Sequence, residues 1–158
     1  MSTFLVVMLI VVAFVVGQVS LLRPSRRETR LMALRMQARK LGLHPRLLPP
    51  PEWYRGERPL GGLLACYSLI LDEGTLPYFR VDRLSDGDWI VKAGSRPAFA
   101  ALQRPPEAES LIALEAQANA VSLWWTEALG PEALPALQQL LQDLKAKLEQ
   151  EQGLSPRS

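Results

Sequence analysis

The fold turns on residues 106–130, "PEAESLIALEAQANAVSLWWTEALG", because this stretch fits two periodicities. Pro106 sits near a first turn and Glu107 and Glu109 suit the positive end of a helix dipole, which predicts a helix over residues 106–117. Beyond it two readings compete. Leu114, Ala118, Val121 and Trp125 keep helical phase and would extend that helix to Gly130, whereas Val121, Leu123 and Trp125 alternate with Ser122, Trp124 and Thr126. Asn119 breaks the run, and branched and aromatic residues follow it. A strand is therefore expected over residues 120–127, with the longer helix as the alternative.

Upstream, "LLACYSLIL" (63–71) is a short apolar run closed by Asp72, Glu73 and Gly74, the pattern of a buried strand. "YFRVDRL" (78–84) sets Phe79 and Val81 against Arg80 and Asp82, and "SDGD" then gives an Asp-Gly hairpin signal before "WIVKA". Three antiparallel strands in a meander result. Downstream, Leu134, Leu137, Leu141, Leu144 and Leu148 recur at three-four spacing and predict a helix over residues 131–150. That stripe is expected to pack on the sheet; the competing reading makes it a surface for a protein partner. The class expected is α+β: a domain over residues 60–150 with a mainly antiparallel sheet of three or four strands and two helices, then a flexible tail, 151–158.

The other end of the chain reads differently. "FLVVMLIVVAFVVGQVSLL" (4–22) carries no charge and measures roughly 28 Å as a helix, close to the ~30 Å hydrocarbon core. A single transmembrane helix is expected, behind an outer tail of residues 1–3; "MSTF" lacks the cationic start of a cleaved signal peptide and no Ala-x-Ala follows. Arginines then cluster. Residues 23–46 balance at +7 against a formal total of +2, leaving about −5 for the rest, so a cytoplasmic C-terminal bulk and an inner-membrane location follow from charge asymmetry. The single Cys66 asks for no oxidising compartment.

Residues 23–42 predict a basic juxtamembrane helix, started by a Ser25…Glu28 capping box and stopped at Gly42. Leu31, Leu34, Ala38 and Leu41 form one stripe on it. Arg23, Arg26, Arg27, Arg30, Arg35, Arg39 and Lys40 are the candidate contacts to anionic lipid headgroups. Alternatively, the arginines only fix topology and the stripe packs on the chain's own domain. Nothing in the cluster asks for nucleic acid. Residues 43–59, with three consecutive prolines at 49–51, predict a semi-rigid linker, and Trp53 and Tyr54 suit either a membrane interface or the first layer of a core.

The apolar run 4–22, Arg23-Pro24 and the basic run 26–40 resemble the start of YajC, the small accessory subunit of the bacterial Sec preprotein translocase. The resemblance implies an auxiliary role in preprotein translocation. In that family a Gly-Asp-Val-Val-Thr-type strand and a Gly-Gly turn are expected soon after the helix; here Gly61-Gly62 follows "LGLHPRLLPPPEWYRGERPL" instead.

No catalytic constellation emerges. His44 stands in the Pro-flanked linker without an acid or nucleophile beside it, and Cys66 reads as a small buried hydrophobe. Residues 82–88, "DRLSDGD", superficially match a calcium loop, but Leu84 falls at the third ligand position and Ala93 where the bidentate Glu belongs. No metal or cofactor is expected. The function expected is a non-enzymatic, membrane-anchored accessory or adaptor protein whose partners are the lipid bilayer and another membrane or cytoplasmic protein. A membrane-tethered enzyme using carboxylates is the more distant alternative.

Overall fold

The computed structural model describes residues 2–21, 25–57, 59 and 61–154. The chain divides into two compact units, Met1–Met32 and Ala33–Ser158.

The first unit contains helix α1 (Ser2–Leu21) and the beginning of helix α2 (Arg26–Lys40). α2 starts as its sequence dictates: the Ser25 N–H donates to Glu28 Oε2 at 2.7 Å and the Glu28 N–H to Ser25 Oγ at 3.2 Å, a reciprocal capping box. In α1 the large apolar side chains from Phe4 to Val16 are exposed on every side of the helix. The expected membrane span over residues 4–22 is corrected, because among the described residues no helix is long and apolar enough to cross a membrane. The uninterrupted apolar run of α1, residues 4–17, comes to only roughly 21 Å before Gln18, against a ~30 Å core. The single-pass topology and the inner-membrane location inferred from that span lose their basis with it. Leu22, Arg23 and Pro24 lie outside the described residues.

The second unit is built on one antiparallel sheet. Its strands are β1 (His44–Leu48), β2 (Leu64–Ile70), β3 (Leu76–Arg83), β4 (Trp89–Ala93), β5 (Leu111–Ala118) and β6 (Ala120–Trp125), ordered β1-β2-β6-β5-β3-β4. Two helices follow parts of it, the short α3 (Arg96–Ala100) and the long α4 (Leu134–Leu154). Among the described residues this makes six strands and four α-helices, not the three or four strands expected.

Three expectations fail for identifiable reasons, the first being the meander: β6 and β5 lie between β2 and β3, so of those three strands only β3 and β4 pair. Residues 106–117 are not a helix: Pro106 and its acids start only a 3₁₀ turn, Pro106–Ser110, after which the chain extends as β5. β5 lies inside the sheet, so Ala113, Leu114 and Ala116 are all buried. Apolar residues on both faces hide the alternation, and tertiary pairing overrides alanine's helix preference. A tight turn with Ala118 at φ 52° then leads into β6, which settles residues 120–125 as strand. The linker expectation also fails at its start, where residues 44–48 pair with β2 as an edge strand that carries Pro45.

Register assigns the faces, since residues directly opposite each other share one. Tyr67, Leu123, Leu114 and Val81 form a row across β2, β6, β5 and β3 on one face. α4 lies against that face, touching β2, β3 and β6. Leu134, Leu137, Leu141, Leu144 and Leu148 are each 0% exposed, so the stripe is core and offers nothing to a partner. The end of α2 joins the same body through buried Leu34 and Ala38, and Gln138 Nε2 donates to the Leu41 carbonyl at 2.7 Å.

Candidate functional site

The opposite face of the sheet is the one that α4 does not cover. Cys66, Trp124, Ala113, Asp82 and Ile90 make one row there, from β2 to β4. Trp53, from the segment after β1, rests edge-on against Trp124 with ring centroids 5.9 Å apart. With Leu64, Cys66, Ala113 and Trp124 buried and Leu48, Trp53, Tyr54 and Ile112 packed against them, a second apolar layer forms. Trp53 and Tyr54 are therefore core-facing residues.

Where that layer stops, toward β3 and β4, the open face becomes a cleft of about 650 Å³. Apolar Trp53, Tyr54, Leu111 and Ile112 line it together with the charged Arg55, Arg80, Arg83, Lys92 and Asp82. Strand alternation brings Arg80 and Asp82 to this face, while Phe79 and Val81 turn to the other side and are fully buried. Arg80 Nε lies 3.2 Å from Asp82 Oδ1, and the Arg80 guanidinium stacks over the Trp53 ring at 4.9 Å. Arg83 Nε is buried without a hydrogen-bond partner among the described residues. Burial pushes the Asp82 carboxyl above its ordinary range, against the opposing pull of Arg80 and Lys92. Four cations and one acid thus line the cleft, with Asp82 paired to Arg80.

A second polar cluster lies among buried groups. Glu127, 8% exposed and at φ 56°, accepts from Arg35 Nε at 2.8 Å, from Arg35 Nη2 at 2.5 Å and from the Tyr67 hydroxyl at 2.7 Å. Burial and then Glu127 push the Tyr67 phenol far above its ordinary value. Every oxygen of the carboxylate is occupied by the chain's own donors. This fork ties α2 to the sheet and is structural.

The cationic residues of α2 separate accordingly. Arg26, Arg27, Arg30, Arg39 and Lys40 are exposed, Arg35 is committed to Glu127, and Arg23 lies outside the described residues. The apolar stripe of α2 serves the chain's own domain at Leu34 and Ala38, while Met32 and Met36 face outward. His44 is exposed on β1, and Cys66 is buried where desolvation pushes its thiol up, with Ser68 and Ser122 pulling the other way. Residues 84–88 form the hairpin turn: the Gly87 N–H donates to the Leu84 carbonyl at 3.0 Å and the Asp88 N–H to Asp86 Oδ1 at 3.1 Å. Among the described residues no group of three or more His, Cys, Asp or Glu side chains is placed to hold a metal ion.

The cleft residues went unrecognised in the sequence because they come from four separated segments. The one signal available was the charged side of the β3 alternation, Arg80 and Asp82.

No protein-family model, characterised protein or solved structure matches the chain.

Proposed function

We propose that the chain is a non-enzymatic adaptor that works at an anionic lipid surface and presents its sheet domain to a protein partner. The observation that carries this reading is α1, whose large apolar side chains from Phe4 to Val16 stand exposed, followed in sequence by the exposed cations Arg26, Arg27, Arg39 and Lys40. An apolar surface of that kind requires a cover. A lipid surface supplies both the apolar cover and the negative charge, each basic group near it contributing about 1 kcal/mol at low salt. For the partner, the edge strands of the sheet among the described residues are β1 and β4. Pro45 blunts β1, whereas β4 exposes Ile90 and contains no proline.

Vesicle flotation of the full-length chain tests the lipid part. Binding to vesicles of mixed anionic and zwitterionic lipid is expected to exceed binding to purely zwitterionic vesicles by at least about tenfold at low salt. Replacing Arg26, Arg27, Arg39 and Lys40 together by Gln should abolish that difference. Equal affinity of the unaltered chain for both vesicle types would remove the electrostatic half of the reading; no binding to either would remove it altogether.

A further inference from the structure

The cleft on the open face of the sheet has a composition that neither the core nor α1 accounts for. Its lining combines apolar side chains, Trp53 and Ile112 foremost, with the cations Arg80, Arg83 and Lys92, and its volume of about 650 Å³ falls within the ordinary range of small-molecule sites. Cations on a solvated surface keep their donors in water. Here Arg83 Nε is buried without a hydrogen-bond partner among the described residues, and Arg80 is held between the Trp53 ring and Asp82. Guanidinium groups with buried, unsatisfied or exchangeable donors are complementary to tetrahedral or planar oxyanions, which accept several charge-assisted hydrogen bonds at once.

We propose that this cleft is a binding site for a phosphomonoester carried on an apolar or aromatic body, the phosphate meeting Arg80, Arg83 and Lys92 and the body resting against Trp53 and Ile112. A carboxylate would leave most of the positive charge unanswered, whereas a phosphomonoester brings about −1.5 to −2 at neutral pH and three acceptor oxygens. Asp82 acts in this site as a resident counter-ion. It occupies Arg80 in the empty cleft, and an incoming phosphate competes with it for that guanidinium. The chemistry is shared by two sources, a free phosphate ester and a phosphomonoester lipid headgroup.

Phenyl phosphate is the probe, titrated calorimetrically into the full-length chain held in a neutral detergent, with inorganic phosphate and benzoate alongside. Phenyl phosphate should bind at least about tenfold more tightly than either, since each comparison ligand lacks one half of the complementarity. Arg83→Gln should weaken it about tenfold or more, and the exposed Lys92→Gln, on an edge strand where folding is not at risk, by a smaller factor. Asp82→Asn should tighten binding, the opposite of what loss of a structural carboxylate would do. Displacement of the probe by vesicles bearing a phosphomonoester lipid would assign the site to a headgroup; displacement only by soluble esters would assign it to a free ligand. No binding of phenyl phosphate at millimolar concentration, or weaker binding by Asp82→Asn, or unchanged binding by both Arg83→Gln and Lys92→Gln, would overturn the proposal.

Discussion

α1 and α4 are helices of nearly equal length, 20 and 21 residues, and their apolar residues have opposite fates. In α4 the leucines return every three or four positions, so one stripe is buried while Gln142, Glu149 and Gln150 face water. In α1 valine, leucine, isoleucine and phenylalanine occupy every side, and none of the described side chains is buried. Apolar content alone therefore does not place a helix in a core. Periodicity does, because a protein interior offers one covered side whereas an all-round apolar helix needs a surrounding of a different kind.

The comparison is broken or sharpened most strongly by truncating one leucine in each helix. Leu141→Ala should cost about 2–5 kcal/mol in urea unfolding of the full-length chain in neutral detergent, because it empties volume between α4 and the sheet. Leu9→Ala, in the middle of α1, should change that transition by no more than about 0.5 kcal/mol. Equal effects would mean that α1 shares the cooperative core.

The next effect belongs to α2, which has features of both helices. Arg35→Ala strips Glu127 of two donors while leaving it buried, and a loss of about 1–3 kcal/mol is expected, with Glu127→Gln milder because Tyr67 and Arg35 keep a carbonyl to bond. Replacing Arg26 and Arg27, which are exposed on the same helix, should leave stability within about 0.5 kcal/mol. If Arg35→Ala is as silent as those two, the fork does not hold α2 to the domain.

A smaller, pH-dependent effect belongs to Tyr67. The folded protein holds the Tyr67 proton more tightly than the unfolded chain, owing to burial and to Glu127. Its contribution is therefore complete below the ordinary tyrosine range, about pH 10, and is lost as the pH rises beyond it. Urea midpoints measured at increasing alkaline pH should fall faster for the unaltered chain than for Tyr67→Phe; parallel curves would show that Tyr67 is not proton-linked to folding.

The leucine stripe, the capping box at Ser25, the Asp86-Gly87 hairpin and β2, β3, β4 and β6 were all legible, because each rests on a short-range pattern. β5 was not. A strand buried on both faces loses its alternation, and its alanines favour a helix locally, so only pairing with β3 and β6 decides it. β1 was obscured by Pro45, which an edge position tolerates, and the sheet consequently came out too small. In the N-terminal run the lack of charge over residues 4–22 hides a shorter apolar stretch, which Gln18 ends after residue 17. The cleft needed register: nothing in sequence brings Arg55 and Trp53 to the side of Arg80, Arg83 and Lys92.

One measurement sets the two helices against each other under the proposed conditions. An environment-sensitive fluorophore is attached through Val11→Cys on α1 or Gln142→Cys on the exposed side of α4, with Cys66 buried and its thiol pushed up by desolvation, so that labelling favours the introduced site. On mixing the full-length chain with anionic vesicles at low salt, the emission at position 11 should shift to the blue while that at position 142 stays unchanged, and neutralising Arg26, Arg27, Arg39 and Lys40 should weaken the shift. A shift at position 142 matching that at position 11, or none at position 11, would contradict the account of α1 as the lipid-covered element of an adaptor.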